Sequence, residues 1–340
     1  MSSTALNYGI KLQTTELQPL SSYSIRSLRR FVSGKKNCII LNPGYLSNEL
    51  TEEIIFRRLF SFEKWDKFST NQSLKEVLND QDSIVLLDHT GSNDFSTQEL
   101  ELINQLKLNG RKVYSIVSFY EHITGRIPLV NISKGWLMNN ELFFVNPRLK
   151  FFFLKRTIDI IITLCIILPA LVLSIMGMLL MKLSSKGPAL FTQKRVGKNG
   201  KIFTLYKIRT MFFSENGHHS YTVKNDERVT PVGKFLRITK IDELPQLINL
   251  VKGEMSLIGP RPEKIDIVAK LVEENPYYNL RHTIKPGISG WAQVNNPTAT
   301  PDQNLEKLEY DLYYLKNMSI FLDLRVLWRT AKVVLTLNSL

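Results

Sequence analysis

Ile160-Ile161-Ile162-Thr163-Leu164-Cys165-Ile166-Ile167-Leu168-Pro169-Ala170-Leu171-Val172-Leu173-Ser174-Ile175-Met176-Gly177-Met178-Leu179-Leu180-Met181 runs for 22 residues without a charge. As a helix rising 1.5 Å per residue, it is long enough to cross a hydrocarbon core of about 30 Å. Pro169 stands mid-run, where it removes a helix hydrogen bond. Both flanks are basic: Arg148, Lys150, Lys155 and Arg156 come before, and Lys182, Lys186, Lys194, Arg195, Lys198 and Lys201 after, with no acid from there until Glu215. Lys and Arg beside a membrane segment favour the cytoplasmic side, so the two ends compete for one face. A re-entrant helical hairpin over 157–182, bent at Pro169, satisfies both. A simple span and a buried core helix are the alternatives.

Outside this run the 340-residue chain is ordinary in hydrophobic (44%) and charged (22%) content, which excludes a disordered protein. Its net charge of +13 is uneven. Residues 151–340 carry 26 Lys and Arg against 16 Asp and Glu, and residues 1–150 carry 18 against 15. A basic half calls for an anionic partner such as an anionic phospholipid bilayer or a phosphorylated substrate. Nucleic acid is not expected, because no basic–aromatic interleaving accompanies the charge. Cys38 and Cys165 sit in apolar runs and read as buried hydrophobes in a reducing compartment. Met1 to Leu20 lacks the pattern of a secretory signal.

Residues 1–36 form a polar arm with a basic helix expected around Arg26 to Lys36. Over 37–145, short apolar runs alternate with helical stretches. Residues 38–41, 83–87 and 113–117 read as buried parallel strands. Residues 48–62, 73–78 and 96–108 read as helices, the last stopped by Asn109-Gly110. This order implies an α/β Rossmann-like layer domain. No Gly-x-Gly-x-x-Gly follows a strand, so dinucleotide binding has no support, and a structural or regulatory role is the plain reading. The boundary falls near Asn146-Pro147-Arg148. Residues 146–340 then form an α+β monotopic membrane domain built on the hairpin.

In that domain, residues 190–193 and 201–211 read as a β-hairpin turned through Gly197-Lys198-Asn199-Gly200. Residues 232–238 form an amphipathic helix with Lys234 and Arg237 on its polar side. A helix opening at Asp242 places Leu244, Leu247, Ile248 and Val251 on its apolar side and stops before Gly253. Residues 306–316 are helical. Residues 319–337 set Phe321, Leu324, Leu327 and Trp328 against Arg325, Arg329 and Lys332, as in a helix lying in the membrane interface. An ordinary surface helix shows the same stripe.

Several residues are suited to chemistry. Asp242 and Glu243 are adjacent acids at a helix start, a place acids favour without any function, but one that also serves a nucleophile beside a second acid. Arg237 is five residues away. Gly259-Pro260-Arg261-Pro262 fixes Arg261 between two prolines, in position for a two-pronged grip on phosphate. Lys285-Pro286-Gly287-Ile288-Ser289-Gly290-Trp291 is a second stiff loop whose cation and aromatic can face a nucleotide or lipid. Lys207 and Arg209 alternate on one strand face, suited to a diphosphate. His218-His219 has no ligand partners at metal spacing.

Taken together these segments resemble the bacterial sugar transferase family, the monotopic polyprenyl-phosphate hexose-1-phosphate transferases. The resemblance is carried by Lys155-Arg156-Thr157-Ile158-Asp159, the Pro169 run, Phe191 to Gly197, Tyr206 to Met211, Asp242-Glu243-Leu244-Pro245-Gln246, Gly253 to Pro262 and Lys285 to Val294. It implies transfer of a hexose-1-phosphate from a UDP-sugar to polyprenyl (undecaprenyl) phosphate, with UMP released, at the cytoplasmic face of the bacterial inner membrane. It further implies a catalytic pair Asp242 and Glu243, Mg²⁺ or Mn²⁺ on Asp242, and a covalent phosphosugar intermediate. Lys207, Arg209, Arg237, Arg261 and Lys285 become the expected phosphate-handling cations. Family hairpins often carry Ser before the proline, where this chain has Leu168, so its bend needs other support. Ser118 to Leu129 also looks like the cytosolic region preceding the core in longer relatives. A homo-oligomer stays open, as does a binding protein with an inactive core; a multi-pass transferase needs more apolar spans than this one.

Overall fold

The computed structural model describes residues 36–52, 60–65, 83–88, 95–129, 149–213, 226–297 and 303–335. The chain divides into two compact units, Met1–Leu137 and Met138–Leu340. The expected basic helix before Lys36, the helix at 73–78, the boundary at 146–148 and His218-His219 lie outside the described residues.

In the first unit, β1 (Lys36–Leu41), β2 (Phe60–Trp65), β3 (Ile84–Leu87) and β4 (Lys112–Ser115) form one parallel sheet in the order β2-β1-β3-β4. Side chains alternate across a strand, so Cys38, Ile40, Ile84 and Leu86 face one way. There they pack with Leu46 and Leu50 of α1 (Tyr45–Glu52) and Ile116, Phe119 and Tyr120 of α3 (Ile116–Thr124). Ile39, Leu41, Val85 and Leu87 face the other way, onto Ile103 and Leu106 of α2 (Thr97–Leu108). This is the layered α/β arrangement expected, with two corrections. The helix expected over 48–62 is described as Tyr45–Glu52, and Phe60-Ser61-Phe62 belongs instead to the start of β2, which pairs with β1. The strand expected over 113–117 ends at Ser115, whose hydroxyl accepts from the Ser118 N–H at 3.1 Å and so caps α3. At the carboxyl ends of β1 and β3, Asp88 accepts from the N–H groups of Gly44 (2.9 Å) and Ser47 (3.1 Å).

The second unit is organised around α4 (Leu149–Ser184), a 36-residue helix that runs through Pro169. It is long and apolar enough to cross a membrane, and most of its apolar stretch is exposed within the unit, unlike a buried core helix. One narrow stripe faces inward: Lys155, Asp159, Thr163, Ala170, Ser174, Gly177 and Met181. Ile160, Ile161, Leu164, Leu168, Leu171, Val172, Ile175, Leu179 and Leu183 are exposed on other faces.

Both ends of α4 are tied to the same unit. Near the start, Lys155 donates to Asp323 at 2.6 Å and to the Tyr314 hydroxyl at 3.2 Å, and that hydroxyl donates to Asp323 at 2.6 Å. Asp159 accepts from the Ser256 hydroxyl (2.6 Å) and the Leu257 N–H (3.3 Å). Near the end, Met181 packs with Ile208 and Leu236. A Cβ on Gly177 would stand 2.9 Å from Ile208, so the helix and strand approach as closely as a glycine permits.

The expected β-hairpin is present as antiparallel β5 (Leu190–Val196) and β6 (Ile202–Ile208), turned at Lys198–Gly200 with Asn199 at φ 54°. After α5 (Pro231–Ile238), the helix expected to open at Asp242 is instead a 3-10 segment, Ile241–Gln246, followed by α6 (Leu247–Lys252). Pro245 lies inside that segment and has no N–H to give. The change of winding turns Leu247 and Leu250 inward and leaves Ile248 and Val251 47% and 56% exposed, so these two expected core positions are corrected. Beyond them lie β7 (Ser256–Ile258), α7 (Ile265–Glu274), β8 (Gly287–Ser289), α8 (Trp291–Asn295), α9 (Asn304–Lys316) and α10 (Ile320–Leu335). On α10, Phe321, Leu324 and Trp328 project outward, while Leu322, Asp323 and Val326 are buried.

The Lys155–Asp323 pair, about one-tenth exposed on each side, is the polar clamp between α4 and α10. Removing one partner of a buried pair costs about 3–5 kcal/mol, whereas replacing both by apolar residues can be neutral. Asp323→Ala should therefore lower the thermal midpoint in detergent sharply, and Lys155→Met with Asp323→Leu should restore most of it. Equal losses in the single and double variants would remove the clamp from the account.

Candidate active site

Asp242 and Glu243 are the second and third residues of the 3-10 segment, whose N-cap Lys240 adopts φ 59°. Each acid has a different environment. Asp242 is 5% exposed, and its Oδ1 is buried without a hydrogen-bond partner. Burial raises its carboxyl to about 6, with the Glu243 charge adding to the effect and Lys207, Lys240 and Arg237 opposing it. Glu243 pairs with Arg261 at 2.7 Å. Burial works to raise it too, but the Arg261 charge and hydrogen bond, with Lys240 and Lys207, outweigh that and hold it well below its usual value.

Local structure explains where the cations stand. Lys207, on β6, lies 5.4 Å from the Phe191 ring centroid across the hairpin. Burial lowers its amine to about 8, while Asp242 and Glu243 act to keep it charged. Arg237 leaves the last turn of α5 and donates from Nε to the Thr210 hydroxyl at 2.8 Å. That helix sits directly on the end of β6: a Cβ on Gly233 would come within 1.9 Å of the Thr210 carbonyl. Arg261 is fixed because the two stiff loops pack glycine to glycine. A Cβ on Gly287 would lie 2.1 Å from the Gly259 nitrogen, and β7 pairs with β8 beside them. Arg281, in a buried ion pair with Asp311 at 2.8 Å, also donates to the Arg261 carbonyl at 2.8 Å.

The structure thus brings Lys207, Arg237 and Arg261 to the acid pair, and leaves two expected cations elsewhere. Arg209 lies past the end of β6, where strand alternation no longer applies. It donates to the Lys186 carbonyl and to Ser185 (carbonyl 3.1 Å, hydroxyl 3.0 Å), closing the end of α4. Lys285 stands near Arg156 and Lys198 instead. Trp291 does not face a ligand: it is buried, stacked on Tyr313 at 5.7 Å, with Arg329 4.9 Å above it. Lys240 and Arg281 were not anticipated. Lys240 had a signal in its place next to the acids, but Arg281 acts across 20 and 30 residues and carries none. A pocket of about 450 Å³ adjoins Glu243 and Arg261, with Lys240, Gln293 and Lys307 on its wall; Asp242 is not part of that lining. No cluster of three or more metal-type ligands occurs among the described residues.

The family model for bacterial sugar transferases matches residues 150–337. A UDP-N-acetylgalactosamine-undecaprenyl-phosphate N-acetylgalactosaminephosphotransferase of Aeromonas hydrophila is 40% identical over 226 residues, 66% of this chain and 52% of the relative. A UDP-glucose:undecaprenyl-phosphate glucose-1-phosphate transferase of Escherichia coli is 42% identical over 185 residues, 52% of this chain and 39% of its own length. An exopolysaccharide production protein of Rhizobium leguminosarum is 41% identical over 191 residues, 54% of this chain and 96% of its own. The chain therefore spans about half or less of the first two relatives and nearly all of the third.

Because its carboxyl is raised, Asp242 holds a proton more tightly in the folded chain than in the unfolded one. Its ionised form thus opposes folding above about pH 6, and the opposition fades as pH falls towards the ordinary value of 3.8. With chelator present, Asp242→Asn should stabilise the chain at neutral pH by up to about 3 kcal/mol and by progressively less on acidification. A stability difference that stays flat with pH would place the Asp242 carboxyl in a less costly environment.

Proposed function

From the premise that the chain belongs to the bacterial sugar transferase family, we propose that it transfers a hexose-1-phosphate from a UDP-sugar to undecaprenyl phosphate. The products are the polyprenyl-diphosphate sugar and UMP, in a first membrane step of exopolysaccharide, capsule or O-antigen synthesis. The observation that carries this reading is the environment of Asp242: a buried carboxylate with an unpartnered oxygen, facing three cations and adjoining a second acid held by Arg261.

A carboxyl titrating near 6 is mostly ionised at neutral pH, so Asp242 is ready as a nucleophile without a separate base. Its oxygen attacks the sugar-bearing phosphorus of the UDP-sugar. The bond from that phosphorus to the UMP oxygen breaks, and UMP leaves with the electron pair. An oxygen of undecaprenyl phosphate then attacks the same phosphorus, and the bond to Asp242 breaks, restoring the carboxylate. Lys207, Arg237 and Arg261 bear on phosphate charge throughout. Glu243, held ionised by Arg261, serves either to activate the lipid phosphate or to support the metal.

The residues suit Mg²⁺ or Mn²⁺: the free Oδ1 of Asp242 is a hard oxygen donor, and such ions take few protein carboxylates and complete their shell from phosphates and water. When bound, the ion supplies charge neutralisation at the phosphate oxygens.

Purified full-length chain with a panel of UDP-sugars, undecaprenyl phosphate and Mg²⁺ should release UMP. Asp242→Asn should lower the rate by about 10³-fold or more, and mass spectrometry should find the phosphosugar on Asp242. An adduct trapped on another residue would sink the assignment.

We also infer that α4 enters and leaves the bilayer on the cytoplasmic side. Support comes from its two ends, fastened to one folded unit through Lys155–Asp323 and through Met181 with Ile208 and Leu236. A single span would have to separate those attachments and move one basic flank across the membrane. Cysteines at the exposed positions Lys150 and Lys186 should both stay unlabelled by a membrane-impermeant thiol reagent applied from outside. Labelling of either one means that the helix spans.

A further inference from the structure

The displaced cation Lys285 belongs to a second group. Its Nζ and the Arg156 Nη2 each stand 3.5 Å from the point where a Cβ on Gly253 would lie. Gly253 has none, so both cationic tips border the space beside its Cα. Arg156 is held in place by donating to the Leu250 (2.8 Å) and Val251 (3.3 Å) carbonyls at the end of α6. Lys198, at the hairpin turn, lies 5.6 Å from the Phe152 ring centroid. Lys285 is partly buried, and burial, Arg156 and Lys198 all push its amine down, with only Asp159 opposing. Asp159 is itself engaged by Ser256 and Leu257. Among the described residues no carboxylate lies within ion-pair distance of Lys285, Lys198 or Arg156.

Gathering three like charges without a counterion is unfavourable unless an anion completes the group. The neighbours indicate its source. Phe153, Ile248 and Val251 are exposed apolar residues on the adjoining helices, so the cations stand beside a surface suited to lipid chains. That is the arrangement of a headgroup contact. We propose that Arg156, Lys198 and Lys285 form a second anion site, separate from the acid pair, for the phosphate of one bilayer phospholipid. This rests on the reading that α4 lies in a bilayer, but not on the transfer reaction.

The test uses the detergent-solubilised full-length chain titrated with phosphatidylglycerol, with retained lipids counted by native mass spectrometry. The expected result is one tightly held lipid, weakened about fivefold by Lys285→Gln and again by Lys198→Gln, the loss expected per cation at an anionic lipid. Lys186→Gln, at the other end of α4, should leave retention unchanged. Equal loss from Lys186→Gln would show surface charge alone and overturn the site. Inorganic phosphate that binds as tightly as the lipid, and displaces it, would overturn the lipid assignment. Flotation with phosphatidylcholine vesicles separates this proposal from the bilayer reading. The double lysine variant should float as the unaltered chain does, whereas failure of the unaltered chain to float would overturn the bilayer reading and the lipid site with it.

Discussion

The clamp between Lys155 and Asp323, completed by the Tyr314 hydroxyl, is the contact on which the second unit depends. It forces an apolar helix to turn its few polar side chains inward. Lys155, Asp159, Thr163 and Ser174 share one stripe, and each of the four has a bonded partner in the unit or on its own helix. Between Ile160 and Leu180 the other faces of α4 are free to be lipophilic. A helix so exposed has no stable place in water, and one so anchored cannot leave its folded unit. The two conditions together suit the bilayer placement proposed for α4, in which the outward residues of α6 and α10 would also find an apolar medium.

The acid pair follows a different logic. Adjacent carboxylates cannot both be ionised cheaply in a buried site, and here the surroundings divide the burden unequally. Arg261 takes up Glu243, leaving Asp242 with charge at longer range and one oxygen unbonded. The division depends on the contact between Gly259 and Gly287, because that contact stiffens the loop carrying Arg261. A side chain at either glycine would move the guanidinium and with it the balance between the two acids.

Much of this was readable from the sequence, and the failures have physical causes. The charge-free run with basic flanks, the Asn199-Gly200 turn and the helix stop at Gly253 are local signals and appear where expected. The 3-10 segment follows from Pro245, a residue whose presence was read but whose effect on register was not. Lys207 and Arg209 share a face only while the strand lasts, and β6 ends at Ile208. Trp291 looked like a ligand contact because a stiff loop presents it; Tyr313 and Arg329, far along the chain, enclose it instead. Phe60 to Phe62 read as the tail of a helix because aromatic–polar alternation over so few residues resembles a helical stripe. Local pattern fixes an element's type more surely than its limits or its partners.

The first unit gives a further case of a site decided by distant residues. In open parallel sheets of this kind, ligands settle at the carboxyl ends where the strand order reverses, against a helix N-terminus. Here β1 and β3 meet at that point, and α1 begins beside them. Asp88 already occupies the place, accepting from Gly44 and Ser47 as an anionic ligand would. An incoming phosphate would have to displace a carboxylate that the fold itself supplies and bring its own counter-charge. The sheet order alone would have marked this point as a binding site; the aspartate at the end of β3 makes it a self-completed cap.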